Sequence, residues 1–375
     1  MCALLAVLLL LAGCASFPDG GTHDWHDKIE GVGELGGPPS VGSPPTREPP
    51  PPDGAGTSGA PQAPSGCSDP DPQVVATCLA PVGAIAVLPD GLSALVGERT
   101  TGRVLRVRQG TPPALVTTIP VDASGGGGLT GLVLSPAYAE DQLVYAYVTT
   151  PTDNRVVKLA PGEPPKPVMV GIPRGGVHNA GALGVDPDGL LLVATGDTGI
   201  DTSLPGSLAG KILRIDTLGR PGETNPDPNS PVLSTGISDP GGICVDDTTA
   251  QTWVPDHSTS GDVLHLIVPG ALTPPAWRWA DSPGVGGCTA HDGTVTIAEN
   301  VGAATYVLHA DKNGLFSGEP QTLLKGVYGR LAPATAGPDA FLWVGTVNKT
   351  GGRPVSSDDR VIRIQMNGGG GAGRS

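Results

Sequence analysis

Six times along this chain a short alternating strand runs into an acidic turn and a second strand follows. The turns are LPDG from residue 88, SPAYAEDQ from 135, VDPDG from 185, VDDTTAQ from 245, AHDG from 290 and GPDA from 337. Their starts are 47, 50, 60, 45 and 47 residues apart. Apolar and polar residues alternate in the flanking runs, which is the period of a strand with one buried face. The Asp-Gly steps supply the positive φ angles that tight hairpins need. Most turns are followed by a third strand: GRVLRVR, NRVVKLA, GKILRID, DVLHLIV, TYVLHA and RVIRIQM. A small sheet of this kind buries little apolar surface alone and must stack on its neighbours. Near-even repetition therefore predicts an all-β fold, a six-bladed β-propeller of four-stranded antiparallel sheets. A β-sandwich, or a pair of them, is the competing architecture, and the even count disfavours it. The longest interval, around NPDPNSP after the third unit, predicts an excursion on one face.

The rest of the chain frames that domain. The first residues, MCALLAVLLLLAGCAS, are an apolar run ending in Leu11-Ala12-Gly13-Cys14, the form of a bacterial lipobox. The run is too short to cross a bilayer. It reads as a signal peptide over 1–13, with Cys14 carrying lipid and the protein held on the extracytoplasmic face of the plasma membrane. A signal peptide has a positive n-region, yet no Lys or Arg precedes this run, so the expected start lies upstream of Met1. Residues 14–66 are rich in Pro, Gly and Ser, a composition that cannot bury enough surface to offset chain entropy and reads as a disordered tether. His23, Trp25 and His26 fall within it and read as incidental. The propeller occupies 67–366, and a flexible Gly-rich tail occupies 367–375.

Net charge is −14 with only 15% charged residues. Nucleic-acid binding needs clustered Lys and Arg, so that class is excluded. Docking on anionic lipid by charge is disfavoured too, which leaves the lipid as the membrane contact; a monomer is expected. Of six cysteines, four remain after processing, and export permits their oxidation. Three pairings are possible, and Cys67–Cys78 with Cys244–Cys288 is favoured. No CxxC spacing supports a zinc or redox motif.

One stretch carries candidate chemistry: VHNAGALGVDPDGLLLVATGD, residues 177–197. His178 precedes an alternating strand, and Asp197 follows a glycine just beyond the next one. An imidazole titrates near working pH and can act as a base. A carboxylate on its far nitrogen fixes the tautomer. The alternatives are a hydrogen-bonded loop histidine and an aspartate capping its own turn. The stretch GDTGIDTS offers Asp197, Asp201 and backbone carbonyls to Ca²⁺, which favours oxygen ligands. His257, His265, His291 and His309 are scattered over other repeats.

Four segments carry a resemblance. LVGERTTGRVLRV, with Glu98, Arg99, Gly102 and Arg103, GGGGLTGLVLSPAYAEDQLVYAYVT, LAGKILRIDTLGRPGETNP and YGRLAPATAGPDAFLWVGTVN together resemble the PQQ-dependent glucose/sorbosone dehydrogenases over about 83–365. With its lipobox and proline spacer the chain looks most like the mycobacterial LppZ-type lipoproteins of that kind. The resemblance implies a six-bladed propeller. It also implies PQQ and Ca²⁺ as cofactors, an aldose or similar alcohol as substrate, His178 as base and Asp197 orienting it. Arg330, Lys211 and Asn179 are the positions it places toward the cofactor. Other positions depart from the family pattern. Gly126 stands where Glu or Gln is usual, Ser238-Asp239-Pro240-Gly241-Gly242 where Arg-Asn-Pro-Gln-Gly is usual, and Ala332 where a second Arg follows Arg330. PQQ is a tricarboxylate and needs cationic donors. Lys211, Arg330, Lys325 and Arg278 compensate only if they converge. Two readings therefore stand: a quinoprotein sugar dehydrogenase, or a ligand- or protein-binding propeller of the cell envelope with a degenerate cofactor site. A lactonase-like hydrolase is a third, and the matches at GKILRID and VHNAGAL argue against it.

Overall fold

The computed structural model describes residues 63–200, 202, 206–258 and 260–365. Cys14, the tether up to residue 62, the tail and Asp201 lie outside them. The described chain is a six-bladed β-propeller with one short α-helix, Tyr138–Asp141, and one 3-10 turn, Ser124–Gly126. Blade 1 comprises Val82–Val87, Ser93–Glu98, Arg103–Arg108 and Thr111–Thr118, from the inner strand outward. Blades 2 and 3 begin with inner strands Leu129–Leu134 and Gly181–Val185, and blades 4, 5 and 6 with Cys244–Val245, Val285–His291 and Leu331–Ala336. Each of the six acidic turns joins an inner strand to the second strand of its blade, as the repeat predicts. Five of these turns are closed by their own aspartates. Asp90 Oδ1 accepts the N–H groups of Leu92 and Ser93, and Asp186 Oδ1 those of Asp188 and Leu190, the local competition with sheet pairing that suits Asp to turns. The helix is part of the SPAYAEDQ turn, where Ser135 Oγ donates to Asp141 at 2.6 Å.

The second strands hold the core. Ser93–Glu98, Val144–Thr149 and Leu191–Thr195 are buried throughout, because both faces meet neighbouring blades. Inner strands come close around the axis, which glycine permits. A Cβ on Gly287 would lie 2.3 Å from the Ala334 nitrogen, and one on Gly241 2.3 Å from the Gly286 carbonyl. The axial channel has a volume of about 380 Å³ and takes a small residue from every blade: Gly83, Gly131, Gly184, Gly242, Gly287 and Ala334.

The ring closes between distant parts of the chain. Val74–Ala76 pairs antiparallel with Val361–Gln365 and becomes the outermost strand of blade 6. The Cys67–Cys78 disulfide brackets that strand, with Cα atoms 5.4 Å apart. The Cys244–Cys288 disulfide joins the inner strands of blades 4 and 5, with Cα atoms 5.6 Å apart. Both are the favoured pairings. A buried arginine locks the closure: Arg360 donates to Asp358 at 2.8 Å, to Asp69 at 3.0 Å and to the Tyr328 carbonyl at 3.2 Å. The long excursion falls between Ile215 and Val232 of blade 3, held by buried Asn225, which donates to the carbonyls of Arg214 and Ser230. Gly270–Ala271 adds a fifth, parallel strand to that blade.

Candidate functional site

His178 is placed by a strained loop. The segment 173–179 leads into the inner strand of blade 3, and His178 itself has φ +50°, a conformation rare for residues with a Cβ. Neighbouring backbone leaves no slack: a Cβ on Gly196 would lie 1.9 Å from the His178 carbonyl, and one on Gly175 1.9 Å from that of Thr198. Asn179 is fully buried. Its amide donates to the carbonyls of Gly125 (3.1 Å) and Gly175 (2.8 Å), and its Oδ1 accepts the Gly175 N–H (2.9 Å). These bonds bind the Gly125–Gly128 loop to the histidine loop, so the amide is spent on the scaffold. Gly126 has φ +83°, and a Cβ placed on it would lie 3.9 Å from the backbone nitrogens of His178 and Asn179.

Nδ1 of His178 lies 2.8 Å from Asp197 Oδ1, and both side chains are about one-quarter exposed. Asp197 is oriented in turn, because its Oδ1 accepts the Gly199 N–H at 2.9 Å and its own N–H donates to the Ser238 carbonyl at 2.8 Å. With Nδ1–H on the carboxylate, the neutral ring leaves Nε2 as an acceptor.

A second dyad, not singled out by the repeat or the motifs, stands on blade 4. His257 and Asp262 are directly opposite one another across the hairpin of Thr252–Ser258 and Gly261–Leu266. Nδ1 of His257 bonds Asp262. Asp262 is fully buried and accepts the N–H groups of Gly284 (2.6 Å) and Val285 (3.1 Å). A histidine facing an aspartate five residues on, with Gly261 at the turn, is the signal the sequence offers for it.

Asp239 lies between the dyads. Burial pushes its carboxyl up to about 6; Asp256 and Asp197 push the same way, and His178 and His257 oppose. Its Oδ1 is buried and without a hydrogen-bond partner among the described residues. Asp256 braces the segment, accepting the N–H groups of Ser238 (3.0 Å) and Asp239 (2.7 Å).

The cations do not join this cluster. Lys211 donates to the Thr202 carbonyl at 2.8 Å, and burial lowers its pKa. Arg330 donates to Asn300 at 2.5 Å and to the Gly351 carbonyl at 2.9 Å, in a groove between blades 5 and 6. Arg278 reaches the Ser260 carbonyl, Lys325 acts on Glu299, and Arg99 donates to the Gly127 carbonyl at 3.0 Å. Among the described residues no three His, Cys, Asp or Glu side chains come together in a metal-holding group. The groups whose charges act on Asp239 are His178, His257, Asp197 and Asp256, with His265 Nε2 3.6 Å from Asp256. A tricarboxylate such as PQQ meets like charge there, so the residues present do not fit it.

The glucose/sorbosone dehydrogenase family model matches residues 80–273. The PQQ-bound aldose sugar dehydrogenase of Streptomyces coelicolor is 32% identical, with a TM-score of 0.71 over 78% of this chain and 96% of that one. A putative oxidoreductase (glucose dehydrogenase) of Thermus thermophilus is 31% identical, with a TM-score of 0.71 over 78% of this chain and 98% of that one. An uncharacterized protein of Synechocystis is 32% identical over 224 residues, 50% of this chain and 54% of its own, so the chain spans about half the length of that curated relative. By the matched segment and by these likenesses, the chain belongs to the glucose/sorbosone dehydrogenase family.

Proposed function

We propose that this protein is a lipid-anchored, extracytoplasmic propeller that binds a small polyhydroxylated, sugar-like ligand without PQQ. The observation that carries this reading is the charge of the site: carboxylates and imidazoles act on Asp239, while Lys211 and Arg330 are tied to carbonyl and amide groups elsewhere and Arg174 pairs with Asp122. Relatives of this fold are aldose sugar dehydrogenases, one of them PQQ-bound, which supports a sugar-sized ligand on this end of the ring. Cys14 supplies the anchor and residues 15–66 the spacer.

A titration of the purified protein with PQQ, with and without Ca²⁺, followed by absorbance and calorimetry, tests it. No saturable binding is expected at micromolar PQQ. Introducing Ser238→Arg and Ala332→Arg together is expected to raise PQQ affinity by restoring the missing cations. Saturation of the unmodified protein, with dye-linked oxidation of an aldose, overturns the reading.

The second reading, a working dehydrogenase, is favoured by one feature: His178 and Asp197 are hydrogen-bonded with Nε2 left for a substrate hydroxyl. If that reading holds, His178→Ala costs about 10²- to 10⁴-fold in rate, the usual share of a general base.

A further inference from the structure

The two dyads hang on consecutive residues. Asp197 of the first donates its N–H to the Ser238 carbonyl at 2.8 Å, and His257 of the second donates its N–H to the Asp239 carbonyl at 3.0 Å. Asp256 accepts from both N–H groups of this dipeptide. Ser238-Asp239 is thus stitched between blades 3 and 4, with an imidazole on either side whose Nδ1 is already engaged. Several polar atoms of this region are buried and without a hydrogen-bond partner among the described residues, among them Asp239 Oδ1, the hydroxyl of fully buried Tyr147, Thr198 Oγ1 and His265 Nδ1. The charge of Asp239 acts on the Tyr147 hydroxyl. A buried carboxylate oxygen with no donor is costly, and such atoms are rare unless something else supplies the hydrogen bond.

The inventory selects the ligand. With each Nδ1 engaged by a carboxylate, the neutral rings leave two Nε2 atoms as acceptors beside the Asp239 carboxylate, on which the Asp256 and Asp197 charges also act. Acceptors spread over two blades call for several donors on one small molecule. An anionic sugar is repelled, a neutral sugar offers hydroxyls, and a protonated amine adds a charge-assisted bond to the carboxylate.

We propose that His178, Asp239 and His257 form one binding site for a small polyhydroxylated amine, an amino sugar in the simplest case. This deepens the reading above and rests on it. Glucosamine, glucose and glucuronate titrated into the full-length protein at pH 7.5 test it by calorimetry. Glucosamine is expected to bind about tenfold more tightly than glucose, the worth of one charge-assisted hydrogen bond, and glucuronate more weakly than either. Asp239→Asn is expected to bring that ratio close to one, with folding checked by circular dichroism. The ring-proton resonances of both His178 and His257 shift on saturation with glucosamine; a shift of His178 alone overturns the two-dyad site without relying on any variant. If PQQ saturates the protein, both readings fall. If PQQ does not bind and glucosamine binds no more tightly than glucose, or glucuronate binds best, only the amine site fails.

Discussion

Burying Asp239 strips its carboxylate of hydration, and the folded protein holds its proton up to about 6, against 3.8 for an ordinary aspartate. Between those values the folded state binds more protons than the unfolded chain, so stability falls as pH rises through that window and stays lower above it. Asp239→Asn removes the titrating group. The variant is expected to gain about 1–2 kcal/mol relative to the parent on going from pH 4 to pH 7.5, allowing for partial solvation. Paired urea denaturations at the two pH values read this, and an equal difference at both refutes it. Asn179 presents the opposite case, an uncharged residue whose amide is wholly used. Asn179→Ala removes the side-chain partners of the Gly175 N–H and carbonyl and one of two donors to the Gly125 carbonyl, and should cost about 2–4 kcal/mol, with loss of the His178–Asp197 contact seen in the His178 ring resonances. His178 and Asp197 were legible in the sequence because one precedes an alternating strand and the other follows Gly196 just beyond the next. His257 was not, because its partner is set by hairpin register. The dispersal of the cations was not legible either, since it depends on which carbonyl each side chain reaches.

The blades themselves were legible element by element. Every acidic turn marks a real hairpin, and in five of them an aspartate of the turn accepts its own backbone N–H groups, while the Gly293 N–H of the AHDG turn is accepted by Asp246 of the neighbouring blade. Two elements left no readable trace. Val74–Ala76 is three residues long, too short for periodicity to show, and its partner lies at the far end of the described chain. Gly270–Ala271 is shorter still and adds to a neighbouring blade rather than its own. The closing strand depends on more than its few ladder bonds. Arg360 is buried with Asp358 and Asp69, and removing one member of such a group leaves charge uncompensated inside the protein. Arg360→Ala is expected to cost about 3–5 kcal/mol, measured as a lowered urea midpoint. A change within about 0.5 kcal/mol, the range of ordinary surface substitutions, would mean that the ring closes without it.

For the molecule as a whole, two tests concern the N-terminal side of the ring. Cys14→Ala should leave the protein unprocessed or free in the medium, and fractionation followed by blotting reads the outcome; a variant still processed and membrane-bound removes the anchor from the reading. Pro64 accepts a hydrogen bond from Ser356, and Ser357 reaches Asp69, so the chain joins the propeller beside the loop that precedes Val361. Any pull on the N-terminal side arrives at Cys67. The disulfide hands that load across eleven residues to Cys78, whose N–H is held by the Ser357 carbonyl, with Leu79 and Asp359 paired just beyond. The closing strand therefore sits in a slack loop that carries no tension. With the sulfur bridge reduced, the same tug falls on three residues and peels them from Val361–Gln365 one bond at a time. The bridge acts as strain relief, as on a cable where it enters its housing: a pull from the N-terminal side passes the closing strand by without opening the ring.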